Sequence, residues 1–236
     1  MKKVILIISG IMSFVYFTSA QTVKIGAQLW MVKNLDVSTF RNGDSIPEAK
    51  TAEEWLAFGA QGKPAWCYYN NDAAYGIKYG KLYNGHAVND MRGLAPDGYH
   101  IPSTEEWEKL REYSAGDRGL LKAGLGLKSA KGWNGYFQYG EQIVSSKGTN
   151  STGFSGLPGG FRQKAEFIDY GFGEGLEYFP EFQLMGDEGR WWSSTKTTNS
   201  RNYHEYNDYF TLRNSYTFSH HYKLRFYGFS VRCIKD

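Results

Sequence analysis

The chain has 236 residues, with 27 Lys and Arg against 24 Asp and Glu, a formal charge of +3. Aromatic residues make up 17%, and 28 residues are Gly, a share well above the usual ~7%. So much ring surface excludes a disordered, charge-swollen chain, the six Pro and 22% charged residues exclude collagen and a polytopic membrane protein, and no sustained heptad supports a coiled coil.

What remains is a loop-rich globular protein. Met1-Lys2-Lys3, an apolar run from Val4 to Phe17, and Thr18-Ser19-Ala20 read as a secretory signal peptide over 1–20. The run is short for a membrane span, so the mature chain, 21–236, is expected not to span a membrane and to be exported: secreted, periplasmic or at the cell surface. Without Lys2 and Lys3 the balance is 25 basic against 24 acidic residues. Charge therefore gives no argument for a nucleic-acid partner. Only Cys67 and Cys233 are present. An exported chain permits a disulfide between them, worth up to about 5 kcal/mol for so long a loop. Two separate buried thiols are the alternative, and the bridge is the expectation.

Val23 to Leu35 reads as strand, turn at Gly26, strand. Thr51-Ala-Glu-Glu54 before Trp55 is a capping-box pattern opening a short helix. Asn70-Asn71-Asp72 reads as a turn. Pro102 and Ser103-Thr-Glu-Glu106, with Trp107, Leu110 and Tyr113 following at threes, predict a second helix. A third is expected from Asp117 through Lys122. Gly153 to Gly160 reads as a tight loop, and Trp191 to Thr195 as a strand. In the terminal strand, Gly228 to Ile234, period two places Phe229, Val231 and Cys233 on one face. No linker or repeat divides the chain. The expected class is α+β, one domain, with short antiparallel strands, two or three helices and long ordered loops.

Several segments together resemble the Fibrobacter succinogenes major paralogous domain, a family of exported bacterial proteins. They are Ile25 to Leu35, Cys67 to Asp72, Tyr79 to Asn84, Leu94 to Trp107, Gly153 to Gly160, Trp191 to Thr195 and Gly228 to Cys233. The family's usual Gly-Trp-His is Gly98-Tyr99-His100 here. Ala95 stands where the family has an alternative Cys, which leaves Cys67 as the candidate partner of Cys233. The resemblance implies a C-type-lectin-like domain, similar to that of the formylglycine-generating enzymes, with paired terminal strands and a loop-rich binding surface. It does not imply a function, because fold is not function.

No metal site is expected. Adjacent His220 and His221 would point to opposite faces of a strand, His204, Glu205 and Asp208 match no ligand spacing, and His100 is read as bonding backbone. No cofactor is expected either. A structural calcium held by loop oxygens of Asn70, Asn71, Asp72, Asn89 and Asp90 stays open, although no calcium-lectin triplet is present. No nucleophile, zinc or phosphate-loop motif appears, so the chain is read as not an enzyme.

The strongest positive feature is Asn199 to Tyr227, where 23 of 29 residues are Asn, Tyr, Ser, His, Asp, Phe or Arg. That palette resembles a paratope, with rigid rings and adaptable polar groups. Tyr203, His204, Tyr206, Tyr209, Phe210, Tyr216, His220, His221, Tyr222 and Arg225 are the candidate ligand-binding residues. The bland alternative is ordinary strands with alternate rings in the core. The same palette is the product set of mutagenised AAC codons, and C-type-lectin-like proteins serve as variable proteins of diversity-generating retroelements. The expected function is an exported, non-enzymatic recognition or adhesion module for a protein or glycan ligand outside the cell. The alternatives are a structural surface or fimbrial component and a thiol oxidase like the formylglycine-generating enzymes.

Overall fold

The computed structural model describes residues 21–138, 142–144, 146–164, 166–169, 176–198 and 205–236. The expected leader lies outside the described residues, as do Tyr203 and His204. The strands are β1 (Thr22–Ile25), β2 (Gln28–Met31), β3 (Trp66–Cys67), β4 (Leu82–Asn84), β5 (Tyr99–His100), β6 (Tyr136–Gln138), β7 (Gln142–Val144) and β8 (Gly159–Arg162). They continue as β9 (Glu166–Asp169), β10 (Leu176–Phe179), β11 (Phe182–Met185), β12 (Glu188–Thr198), β13 (Glu205–Arg213), β14 (Phe218–Leu224), β15 (Gly228–Phe229) and β16 (Ile234–Lys235). The helices are α1 (Ala52–Ala60), α2 (Gly76–Tyr79), α3 (Gly85–Val88), α4 (Thr104–Ala115) and α5 (Ala123–Leu127). The mixed α and β class is as expected, with more sheet and more, shorter helices than the sequence suggested.

Both expected caps form. Thr51 Oγ1 accepts from Glu54 N at 3.2 Å to open α1. In α4 the capping box closes in both directions, with Glu106 N donating to Ser103 Oγ and Ser103 N to Glu106 Oε2 at 2.8 Å. The third helix starts later than expected. Gly116 and Gly119 hold positive φ, so residues 116–118 and 120–122 make only 3₁₀ turns before α5.

One sheet joins the first and last described strands in the order β1-β2-β16-β5. Gly26, at φ +60°, makes the β1–β2 turn. The larger sheet runs β14-β13-β12-β8-β15-β4-β3, with β11 also on β8. Close packing forces a glycine in β8: a Cβ on Gly160, at φ +65°, would sit 2.4 Å from Gln183 O. β6–β7 and β9–β10 form separate hairpins.

The central strands of the large sheet are buried on both faces, because consecutive residues point opposite ways. Trp191 and Phe210 join Trp30, Trp107, Phe154 and Phe218 in one cluster. Trp192 and Tyr209 join Trp66, Tyr83, Phe161 and Phe229 in another. Trp107 of α4 is the hub of the first, with ring centroids 4.7 Å from Trp30 and 5.6 Å from Phe210. Phe229, Val231 and Cys233 share the second cluster, as their period-two spacing predicts.

The expected disulfide is corrected. Cys67 and Cys233 are both free and buried. They sit in different clusters, Cys67 with Trp55, Ala65 and Leu82 and Cys233 with Tyr83 and Val231. Burial pushes the thiol of Cys67 up to about 11 and that of Cys233 up to about 12.

Several cations are buried in the fold. Arg232, 1% exposed, donates to Asn34 Oδ1 at 2.6 Å and to Phe154 O, and its guanidinium lies 4.3 Å from the Phe154 ring. Asn34 also takes the Trp191 indole N–H at 2.8 Å, so one amide ties the N-terminal segment to the end of the chain. Lys128, fully buried, donates to Asn214 O and Ser215 O at 3.2 and 3.0 Å and lies over the Trp133 ring.

Candidate functional site

The ribbon β12–β13–β14 carries the candidate residues. β13 pairs β14 without a break from Tyr206 opposite Leu224 to Leu212 opposite Phe218. Facing residues share a side, so Phe210, His220 and Tyr222 lie on one face and Tyr209, His221 and Lys223 on the other. The β12–β13 register shifts between Trp192 and Lys196, and this irregular stretch is tied to the start of α4. Ser194 N donates to Pro102 O at 2.9 Å, and Thr104 N to Thr195 Oγ1 at 2.9 Å.

Asp208 is the buried polar centre of the ribbon. Its carboxylate accepts from Thr104 Oγ1 and Thr197 Oγ1, each at 2.7 Å, and meets His220 Nε2 at 3.0 Å. His220 is thereby fixed, with its ring stacked on Phe210 at 5.1 Å. On the opposite face His221 stacks on Tyr209 at 5.4 Å, and its Nε2 meets Ser219 Oγ at 3.0 Å. Burial, then Arg213, Arg190 and His220, pull the His221 pKa down, so its imidazole is neutral at pH 7. Tyr222 is 53% exposed and stands edge-on to Tyr206 at 5.3 Å. Lys223 Nζ lies 4.7 Å from the Tyr227 ring.

These groups line an open depression of about 560 Å³ formed by Tyr209, His220, His221, Tyr222 and Lys223. It gathers four of the candidate residues. The other described candidates are dispersed. Phe210 is fully buried and belongs to the core instead of the surface, because its place on β13 turns it onto Trp107. Tyr209 is 5% exposed, so it is the floor of the depression. Tyr206 supports Tyr222 from one side. Tyr216 is half-buried in the β13–β14 turn, 5.8 Å from Lys128. Arg225 faces a second cleft of about 280 Å³ with His86, Asn89, Asp90, Met91 and Lys196. There it bonds Asn207 Oδ1 at 3.0 Å and pairs with Glu205.

Sequence reasoning missed Lys223, although it follows His221 at strand period two. It also missed the second cleft, whose residues come from four separate segments and leave no local pattern. His100 does not bond backbone as expected. It bridges Asp236 Oδ1 at 2.6 Å and Glu106 Oε1 at 2.9 Å.

Among the described residues no group of three His, Cys, Asp or Glu could hold a metal. The two aspartates among the calcium candidates have other partners. Arg92 holds both Asp90 oxygens, at 2.9 and 2.8 Å, and Asp72 Oδ1 accepts from Ala74 N. Asn89 Nδ2 donates to Ser194 O, and its buried Oδ1 has no partner among the described residues. No helix among the described residues is long and apolar enough to cross a membrane.

No curated protein and no solved structure matches this chain. The profile of the Fibrobacter succinogenes major domain matches residues 23–235, which include every motif from the Ile25–Leu35 hairpin to the Gly228–Cys233 terminal segment. The chain belongs to the Fibrobacter succinogenes major domain family.

Proposed function

We propose that this protein is an exported, non-enzymatic recognition module that holds a protein or glycan ligand against the β13–β14 ribbon. The observation that carries the reading is the depression over Tyr209, His220, His221, Tyr222 and Lys223. Its rings and imidazoles are held by Asp208, Phe210, Tyr206 and Ser219, so binding costs little side-chain entropy. An exposed Tyr beside neutral His and a Lys offers ring contact with adaptable hydrogen bonding.

The scaffold reading is C-type-lectin-like. Its support is the sheet that joins the N-terminal hairpin to the C-terminal β16, with an α4 start tied to the ribbon. A thiol oxidase needs accessible thiolate. Burial of Cys67 and Cys233 and their raised pKa values weigh against that alternative. Within residues 205–227, diversification is expected at exposed positions such as Glu205, Arg213, His220 and Tyr222. Phe210, Leu212 and Phe218 are fixed by the core.

The test is capture of ligands on glycan and protein arrays, followed by the Tyr222→Ala, His221→Ala double variant. Loss of the captured ligand in a variant of unchanged melting temperature supports the reading. Sequencing the gene's neighbourhood tests diversification separately, through a near-copy of codons 199–227 beside a reverse transcriptase.

A further inference from the structure

The chain contains three Asn-Gly steps, Asn42-Gly43, Asn84-Gly85 and Asn134-Gly135. The side-chain amide of an Asn can be attacked by the main-chain nitrogen of the next residue, which closes a five-membered imide. Glycine favours the attack, because no Cβ shields its nitrogen and its backbone reaches conformations closed to other residues. Three identical dipeptides leave the surroundings to decide which one reacts.

Asn84 is blocked. It is 1% exposed. Its Oδ1 accepts from Ala65 N and Ala87 N at 3.1 and 2.9 Å, and its Nδ2 donates to Lys63 O at 2.8 Å. Gly85 N donates to Arg225 O at 2.7 Å, and a Cβ on Gly85 would lie 2.9 Å from Arg225 Cα. Asn134 is exposed but restrained. Its N–H donates to Gly186 O at 2.8 Å, and its carbonyl accepts from Ser146 Oγ. Its amide packs against Gly186, where a Cβ would collide with Asn134 Nδ2.

Asn42 differs on each count. Asn42 and Gly43 are both exposed in a turn. Gly43 holds φ +91°, and nothing lies within 4 Å of where its Cβ would stand. Asn42 Oδ1 accepts from Asp44 N at 3.1 Å. That bond curls the side chain back over the Asn42–Gly43 peptide and polarises the Cγ carbonyl. One main-chain bond restrains the attacking nitrogen, from Gly43 N to Phe40 O at 2.9 Å. A single bond in a surface turn opens locally far more often than the core does.

We propose that Asn42 is a site of spontaneous deamidation in the folded protein, while Asn84 and Asn134 are held back. Gly43 N gives its proton to hydroxide and bonds to Asn42 Cγ. The Cγ–Nδ2 bond breaks, and Nδ2 leaves as ammonia with a proton taken from water, which regenerates the hydroxide. A further water opens the imide at either carbonyl and leaves aspartate or isoaspartate at position 42. The change alters the turn. Side-chain hydrogen bonds from Asn42 and then Arg92 hold the Asp44 carboxyl below its ordinary value. Deamidation removes the first of these donors and sets a like charge two residues away. Arg92 also pairs with Asp90, which lines the second cleft, so the turn and that cleft share one cation.

The experiment incubates the folded full chain in heavy-oxygen water at pH 7 and pH 9 and maps its peptides by mass. Asn42 is expected to convert with heavy oxygen incorporated, to aspartate and isoaspartate together, and faster at pH 9. It is expected to outpace Asn134, and to exceed Asn84 by about ten-fold or more, because a buried site reacts only through opening. In denaturant the three sites are expected to converge. No conversion at Asn42, equal rates at Asn42 and Asn134 in the folded chain, or aspartate without isoaspartate overturns the proposal. Rates that stay apart in denaturant put the ranking in local sequence and overturn it as well.

Discussion

His100 is a single residue that couples the last strand to the first turn of α4. Burial draws its pKa down, but hydrogen bonds to Asp236 and Glu106 outweigh it, and the net shift is upward. A group whose folded pKa is raised stabilises fully below its unfolded value near 6.5 and loses that contribution as pH rises through the folded value. Thermal melts are therefore expected to show wild type losing stability relative to His100→Gln as pH climbs from about 6 to 8. A constant difference across that range would contradict the pairing. The cysteines give a second check at this scale. Native protein is expected to react poorly with a thiol reagent at pH 7.5, and denatured protein without reductant to release two thiols, where a disulfide would release none. That the two thiols stay apart was beyond sequence reading, because the export argument concerns the compartment, while separation into two clusters is decided by packing. Asn34 is the third residue of this kind. Asn34→Ala strips the buried Arg232 of its side-chain acceptor and is expected to cost about 2–3 kcal/mol in denaturant unfolding.

At the scale of elements, local chemistry was the most legible part of the chain. The start of α4 follows from Ser103 and Glu106 alone, because a capping box satisfies its own backbone donors. The ribbon was half legible. Rings crowded into β13 and β14 read as candidate ligand contacts, with alternate rings in the core as the other reading; both faces of β13 are covered at Tyr209 and Phe210, so neighbouring rings go to different clusters. Only the edge strand, with one neighbour, keeps His220 and Tyr222 at the surface. The turn between these strands is pinned by Lys128, whose burial without a carboxylate partner pulls its pKa down to about 8. A lowered lysine pKa means the unfolded chain binds the extra proton between about 8 and 10.4, so stability from this residue rises with pH across that window. Chemical unfolding at pH 8 and pH 10 is expected to show wild type gaining on Lys128→Met. An unchanged difference would place the ammonium in water.

Over the whole molecule, α4 and the ribbon form one unit. Trp107 joins α4 to β2, β12, β13 and β14 through Trp30, Trp191, Phe210 and Phe218. Its hydrophobic spacing to Leu110 was visible in the sequence, whereas its ring partners, Phe154 included, lie far away in the chain and no local pattern announces them. Trp107→Ala is expected to cost about 3–5 kcal/mol of unfolding free energy and to loosen the ribbon with it. The same architecture holds the floor of the depression from behind and leaves Tyr222 at the surface, and ligand capture there is the central claim. The most direct measurement is array capture by the wild-type chain beside the Tyr222→Ala, His221→Ala variant, both checked for equal melting temperature. The account predicts a ligand that the wild type captures and the variant loses. A ligand held equally by both, or none captured by the native protein, would contradict it.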